Sequence, residues 1–298
     1  MAFAEQSHNI TLVPSKGPII LIDTSYYVFY RYYATYNWYR KQNIGSETML
    51  VENIMKDDIF VDKYTKMFEK HILDVCKMHE GVHNNVVFAT DCCRDSIWRH
   101  RFFDSYKATR EEKSKNFNKE VFIYTYQKLL PQLIEKYGFQ TIGNKSLEAD
   151  DVIAIITDRL LNLSLEQSHT FHVVILTNDN DYIQLLQHTA LQNAGDRVRL
   201  DIKNMQEKSL HERLPCPVQI YLEVKKILGD KSDNIPAIAP KCGEKTALKL
   251  AQNKSLLNRL FQSSPKAKEQ YELNTLLIDF ACIPADLKEQ VIDKVHVC

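Results

Sequence analysis

Nine acidic side chains are the part of this 298-residue sequence best suited to chemistry: Asp23, Asp91, Glu148, Asp150, Asp151, Asp179, Asp181, Asp230 and Asp233. Glu148, Asp150 and Asp151 stand at i, i+2 and i+3, so on a helix the first and third share a face. Asp179 and Asp181 are two apart. Asp230 and Asp233 are three apart, within reach of one helical turn, in the run Gly229-Asp-Lys-Ser-Asp-Asn-Ile-Pro-Ala-Ile-Ala-Pro-Lys241. Carboxylates gathered in one pocket repel one another and hold protons at raised pKa unless a cation neutralises them. Hard ions such as Mg²⁺ take oxygen ligands and need no His or Cys. Two such ions about 4 Å apart activate a water and stabilise the leaving oxygen in phosphodiester cleavage. A single acid near a strand end or helix start is more often a cap or a solvated charge. Its recurrence in four segments weakens that bland reading.

The elements that must position these acids follow from hydrophobic patterning. Pro18-Ile-Ile-Leu-Ile-Asp23, Asn85-Val-Val-Phe-Ala-Thr-Asp91 and Phe171-His-Val-Val-Ile-Leu-Thr177 are apolar runs that lead into acids, the pattern of buried parallel strands. Helical periodicity covers about 58–80 and 121–137. Ser146 is positioned to cap a helix whose first turns carry the 148–151 acids. Alternating strands and helices predict a mostly parallel α/β sheet flanked by helices. Ligands of such sheets bind outside the carboxyl ends of the strands, where Asp23, Asp91 and Asp179 fall. From about 217 onward the pattern is helical, at 217–228, 244–260 and 265–278. The predicted organisation is a lead-in at 1–17, an α/β core at 18–215 with a basic stretch at 92–120, and a helical region at 216–298.

Composition bounds the class. Apolar residues make up 44% and charged residues 26%, as in a water-soluble globular protein, and no apolar run is long enough for a membrane helix. Seven scattered cysteines favour neither a disulfide framework nor a zinc ribbon, so an intracellular, reducing compartment is expected. Net charge is zero, yet Cys92–Lys119 holds eight Lys/Arg against four acids, which suits an enzyme acting on a polyanion. Residues 26–39 are rich in Tyr, Phe and Trp. Positions 26, 29, 30 and 33 would share a helical face, mostly as core, with one or two rings available to stack on a base.

Several runs together resemble the 5′-nuclease superfamily of flap endonucleases and 5′–3′ exonucleases, most closely its phage and bacterial branch. They are Ile22-Asp23-Thr-Ser, Phe88-Ala-Thr-Asp91, Trp98-Arg99 with Tyr106-Lys-Ala-Thr-Arg110, Leu147-Glu-Ala-Asp-Asp151, Thr177-Asn-Asp-Asn-Asp-Tyr-Ile-Gln-Leu185 and Gly229-Asp-Lys-Ser-Asp-Asn-Ile-Pro236. The resemblance implies a PIN-like nuclease core with a helical arch or gateway within 92–120. It implies that Asp23, Asp91, Glu148, Asp150 and Asp151 hold a first Mg²⁺, replaceable by Mn²⁺. Asp179, Asp181, Asp230 and Asp233 would serve a second, with Asp150 between the two. Lys107 and Arg110 are implied to contact the scissile phosphate, and Arg99 a neighbouring one. Residues 229–250 resemble a helix–turn–helix element that grips duplex phosphates, with Lys241, Lys245 and Lys249 contributing and K⁺ as a further bound ion.

Three positions depart from the family pattern. Thr24 and Ala237 stand where relatives carry glycine, and Pro240-Lys-Cys-Gly243 replaces Pro-Gly-Ile-Gly. The implied activity is structure-specific hydrolysis of branched or 5′-ended duplex DNA, giving a 5′-phosphate and a 3′-hydroxyl, by a monomer without a sliding-clamp motif. The rival readings are a PIN-type ribonuclease acting on RNA and a non-catalytic protein that binds DNA junctions.

Overall fold

The computed structural model describes residues 9–42, 51–109, 117–167, 170–186, 198–206, 208–210, 214 and 216–298. In chain order they form strand β1 (Ile10–Leu12), β2 (Ile19–Asp23), helix α1 (Thr24–Gln42), α2 (Asp58–Met78) and β3 (Val86–Thr90). Next come α3 (Glu120–Tyr124), a π turn over Thr125–Leu129, α4 (Leu130–Tyr137), β4 (Gln140–Gly143), α5 (Ala149–Gln167), β5 (Phe171–Leu176) and β6 (Val198–Lys203). The C-terminal part holds α6 (Val218–Leu228), α7 (Glu244–Gln252), α8 (Lys254–Ser263), α9 (Pro265–Ile278), α10 (Ala285–Ile292) and β7 (Val295–Val297).

Five strands pair in the order β4-β3-β2-β5-β6, every pair parallel. Side chains alternate across this sheet. Ile19, Leu21, Val87, Ala89, Val173 and Ile175 face α5 and α10, whereas Ile20, Ile22, Val86, Phe88, Val174 and Leu176 face α1 and α2. Both faces are covered, so the strands read as continuous apolar runs. The chain passes β2-β3-β4 in one direction and resumes at β5 on the other side of β2, so the switch point lies between β2 and β5. Asp23 ends β2, Asp91 follows β3 and Asp179 follows β5, at that same edge.

Helix starts have local causes. The Asp57 side chain accepts from the Ile59 and Phe60 amides and caps α2, whose Phe60, Tyr64, Phe68, Ile72 and Val75 are buried on one face. On α1 the buried face is Tyr27, Val28, Arg31, Tyr32 and Thr35. Of the face expected from 26, 29, 30 and 33, Tyr26 and Tyr30 pack half-buried against this core, whereas Phe29 and Tyr33 are 39% and 42% exposed. Ser146 lies ahead of α5 without capping it. The first amide of that helix, at Ala149, donates instead to Asp91 at 2.9 Å.

The sequence-based organisation needs three corrections. Residues 10–12 are not a loose lead-in, because β1 pairs in parallel with β7 and joins the two ends of the chain. The 216–298 region is no appendage either, since Phe280, Ile283, Leu287, Val291 and Val295 share one core with Ile19 and Ile175. The stretch expected as one helix at 244–260 is two, because Asn253 accepts from the Leu256 amide and caps a new start. Residues 92–109 hold short 3-10 turns at Arg94–Ser96 and Trp98–Arg101, and Cys92, Ile97 and Tyr106 of this stretch pack against Leu222, Ile235 and Leu277. Arg110 and the remainder of that segment to 116 lie outside the described residues. Among the described residues no helix is long and apolar enough to cross a membrane.

Candidate active site

Asp23, Asp91, Glu148, Asp150 and Asp179 line a single cavity of about 360 Å³ at the carboxyl ends of the strands, together with Lys107, Arg94, Ser25, Tyr26 and Phe29. β2 delivers Asp23, which is 5% exposed and accepts from Tyr182 Oη at 3.0 Å and the Tyr26 amide at 3.2 Å. Asp91 accepts from Ser25 Oγ and from the Ala149 amide. Asp150 sits in the first turn of α5, and Asp179 caps the short 3-10 turn after β5 by accepting from the Asp181 amide at 2.9 Å. Among the described residues no Lys or Arg forms a salt bridge with any of these four carboxylates. Their pKa values move accordingly. Burial, then the neighbouring charge of Asp91, lifts Asp23 to about 7. Burial, then Asp181, lifts Asp179 to about 6. Burial followed by repulsion from Asp151 and Glu148 pushes Asp150 well above the ordinary range, and burial raises Asp91.

The other carboxylates are paired. Asp151 is fully buried, and Arg99 grips it from both sides, Nη2 to Oδ1 at 2.7 Å and Nη1 to Oδ2 at 2.8 Å. Trp98 Nε1 adds a donor at 3.0 Å. Arg99 also donates from Nη1 to Glu148 Oε2 at 3.1 Å and from Nε to the Leu277 carbonyl at 2.7 Å. Arg99, expected to bind a phosphate, is 2% exposed and directed inward onto these partners. Asp151, expected as a metal ligand, also anchors α5 to the 98–101 turn and, through Arg99, to α9. Glu148 accepts from Lys107 Nζ and from Tyr106 Oη at 2.9 Å. Burial alone would raise Glu148, but the charges of Lys107 and Arg99 outweigh it and lower the group to about 2.

A second cluster lies beside the first. Asp181, Asp230 and Asp233 each bring a carboxylate oxygen within 4.8 Å of the others, as do Glu148, Asp150 and Asp151. The expected second set is therefore redistributed, with Asp179 lining the first cavity and the other three grouping together. Gly229 makes the turn possible. Its φ is +71°, and a Cβ there would lie 2.4 Å from the Ile235 carbonyl, so only glycine fits. Asp230 then closes a bridge with Ile235, whose amide donates to it at 2.8 Å. Lys225, on the last turn of α6, donates to Asp181 and to Asp230 at 2.7 Å. Burial raises Asp230, and the charge of Lys225 reverses this to about 2.

Lys107 links the two clusters. Its φ is +56°, a strained conformation for a side chain with a Cβ, held by its amide donating to the Asp233 carbonyl at 2.9 Å. Arg94 donates to the Lys107 carbonyl, and Asn234 Nδ2 to the Ser105 carbonyl at 2.9 Å. The basic segment and the 230–235 turn are therefore one docked unit. Lys241, Lys245 and Lys249 are exposed on the turn and α7. Lys241 adopts φ +60°, a region that favours glycine, whereas Ala237 has no positive φ. Thr24 fits at the start of α1, fully buried, with its hydroxyl lacking a hydrogen-bond partner.

Sequence reasoning gave no role to Lys225, Arg94, Ser25 and Tyr182, although Ser25 and Tyr182 lie inside the matched runs, Arg94 in the basic stretch and Lys225 in the last helical turn before Gly229. The donor set suits a hard divalent ion: all-oxygen, largely buried, and net negative at the four unpaired carboxylates.

A parallel α/β sheet with acids at its switch-point edge defines a class, and comparison with known proteins gives it a family. Residues 18–214 match the 5′–3′ exonuclease, N-terminal resolvase-like domain. A 5′–3′ exonuclease of Halalkalibacterium halodurans is 30% identical over 207 residues, covering 70% of this chain and 63% of that protein. DNA polymerase I of Lactococcus lactis is 25% identical over 226 residues, covering 70% of this chain and 24% of that one, so the chain spans about a quarter of such polymerases. The bacteriophage T5 flap endonuclease, solved with DNA and metal ions, shares the fold at a TM-score of 0.55 and 17% identity, over 92% of this chain and 97% of that one. The chain belongs to the 5′–3′ exonuclease family.

Proposed function

We propose that this chain is a divalent-metal-dependent 5′ nuclease that hydrolyses DNA phosphodiesters at 5′ flaps, ends or junctions, leaving a 5′-phosphate and a 3′-hydroxyl. The observation that carries the reading is the convergence of Asp23, Asp91, Asp150 and Asp179 on one cavity, without a salt-bridge partner among the described residues. Mg²⁺ or Mn²⁺ bound at these and the Asp181–Asp230–Asp233 carboxylates would supply water activation and charge neutralisation at the phosphate. The remaining work falls to the protein. Lys107, rigidly held between the two clusters, presents an ammonium to the scissile phosphate as negative charge develops. Tyr26 and Phe29 form an aromatic side of the cavity on which a base can stack whatever its sequence. Lys241, Lys245 and Lys249 follow the acidic turn on the surface, where they can hold duplex phosphates without reading bases.

A divalent-metal titration on a 5′-flap duplex labelled at both ends tests this, because it reports activity, polarity and cut position together. Metal-dependent release of a short 5′ product is expected. No cleavage with either ion, alongside retained flap binding, would leave a junction-binding protein. Faster cutting of the matched RNA flap would favour a ribonuclease.

A further inference from the structure

Every carboxylate of the second cluster is already in contact with a lysine. Lys225 Nζ lies on Asp181 and 2.7 Å from Asp230, and Lys107 Nζ is 3.7 Å from Asp233. The first cavity differs, since among the described residues Asp23, Asp91, Asp150 and Asp179 form no salt bridge. We propose that Lys225 is a resident cation of the second cluster, which must leave Asp181 and Asp230 before those carboxylates hold a divalent ion. Lys225 thereby makes this the weaker and later-filled of two metal sites. The inference rests on the nuclease reading above and adds an exchange step to it.

Three observations carry the argument. The ammonium bridges two carboxylates that belong to different elements, one after β5 and one after α6, and so already supplies positive charge to both groups that would hold an ion. Two cations cannot share that position, because like charges a few ångströms apart repel strongly in a partly buried site. The side chain also has somewhere to go. Lys225 borders a second cavity of about 850 Å³, whose lining also includes Lys245 and Leu248 of α7. Its backbone stays fixed meanwhile, because the Gly229 amide donates to the Lys225 carbonyl at 2.8 Å and closes the helix. Exchange therefore needs only rotation of a four-carbon stem. Once released, the ammonium stands at the edge of the turn that precedes Lys241 and Lys245, facing a cavity open enough for a phosphate backbone.

Isothermal titration with Mn²⁺ or Ca²⁺, in the absence of DNA, tests this on the full chain and on Lys225→Met. Wild type is expected to show a tight and a weak class of site. In Lys225→Met the weak class tightens by at least about tenfold while the tight class is unchanged, because a competing charge in contact has been removed. An unchanged or weakened second class, with the first class intact as a control for folding, overturns the proposal. A wild-type measurement covers the case in which the variant does not fold. Acetylation of Lys225, followed by mass spectrometry, should accelerate severalfold as Ca²⁺ fills the weak class, and a flat rate through saturation overturns the proposal equally. A chain that binds no divalent ion at all overturns the nuclease reading and takes this inference with it. Two classes indifferent to Lys225 overturn this inference alone.

Discussion

Two groups of carboxylates stand within one site and behave oppositely. Glu148, Asp151, Asp181 and Asp230 are each tied to a protein cation, Arg99, Lys107 or Lys225. Asp23, Asp91, Asp150 and Asp179 face each other with only neutral donors. Burial is similar in the two groups, so burial does not explain the difference. What separates them is whether the folded chain brings its own positive charge. The paired group builds the site, and the unpaired group awaits a charge from outside. Opposite responses to the same isosteric change follow.

The largest effect should come from neutralising an unpaired acid. Asp179→Asn or Asp23→Asn is expected to lower metal-dependent flap cleavage by about 10³-fold or more, since several kcal/mol of transition-state stabilisation is lost. The same changes should leave the metal-free protein as stable as wild type or more so at pH 8. Cleavage assays beside urea unfolding in chelator check both halves. If metal-free Asp23→Asn is clearly less stable than wild type, Asp23 belongs to the paired group and the division fails.

Asp151→Asn should do the reverse. Removing one partner of a buried ion pair strands the other, and a loss of about 3–5 kcal/mol in unfolding free energy is expected, with or without metal. Activity at a temperature where the variant stays folded should fall far less than in Asp179→Asn. A stability loss below about 1 kcal/mol would show that Arg99 finds another partner, with Glu148 the nearest candidate.

How much of this was legible beforehand follows from the same division. The strand-end acids were legible because continuous apolar runs announce buried strands, and a polar residue ending such a run must emerge at the sheet edge. β4 and β6 were not, since Gln140–Gly143 and Val198–Lys203 lack such a run. The partners were not legible either. Arg99 sits in a basic stretch whose charge suggests a polyanion, and only the docking of its 3-10 turn against α5 turns it inward. Lys225 has the sequence context of any lysine closing a helix. The β1–β7 pairing joins three-residue strands from opposite ends of the chain, and no local pattern encodes that. Local periodicity fixes elements, whereas charge partners are set by packing across elements.

The pH dependence of the metal-free protein sharpens the comparison further. Asp23 and Asp179 titrate at about 7 and about 6 in the folded state, above their ordinary values near 4. A raised carboxyl contributes stability that is present below the unfolded pKa and is lost as pH rises through the folded one. Glu148 and Asp230, lowered to about 2, contribute stability that is present above their ordinary values and lost only as pH falls toward 2. Between pH 5 and 8, then, only the unpaired group changes charge. Unfolding free energy in chelator should fall across that window by about 1–3 kcal/mol. With saturating Mg²⁺ or Mn²⁺ the slope should flatten or reverse, since binding displaces the protons. Stability in chelator that is flat or rising from pH 5 to 8 would place the charge deficit elsewhere.

The smallest effect separates desolvation from repulsion. Thr24 lies directly after Asp23, fully buried, and its hydroxyl has no hydrogen-bond partner. It shares the burial of the unpaired acids but carries no charge. Replacing it with valine keeps the branched shape and removes the stranded polar atom. Thr24→Val should therefore stabilise the protein by about 1 kcal/mol, the desolvation penalty of one unsatisfied hydroxyl. That gain should be independent of pH between 5 and 8 and unaffected by metal, which a pair of urea titrations with chelator and with Mn²⁺ would reveal. A gain that appears only in the metal-bound protein would mean that the hydroxyl senses the charge at Asp23. The unpaired group would then extend beyond the carboxylates, and the division drawn here would have to include the neutral side chains that touch them.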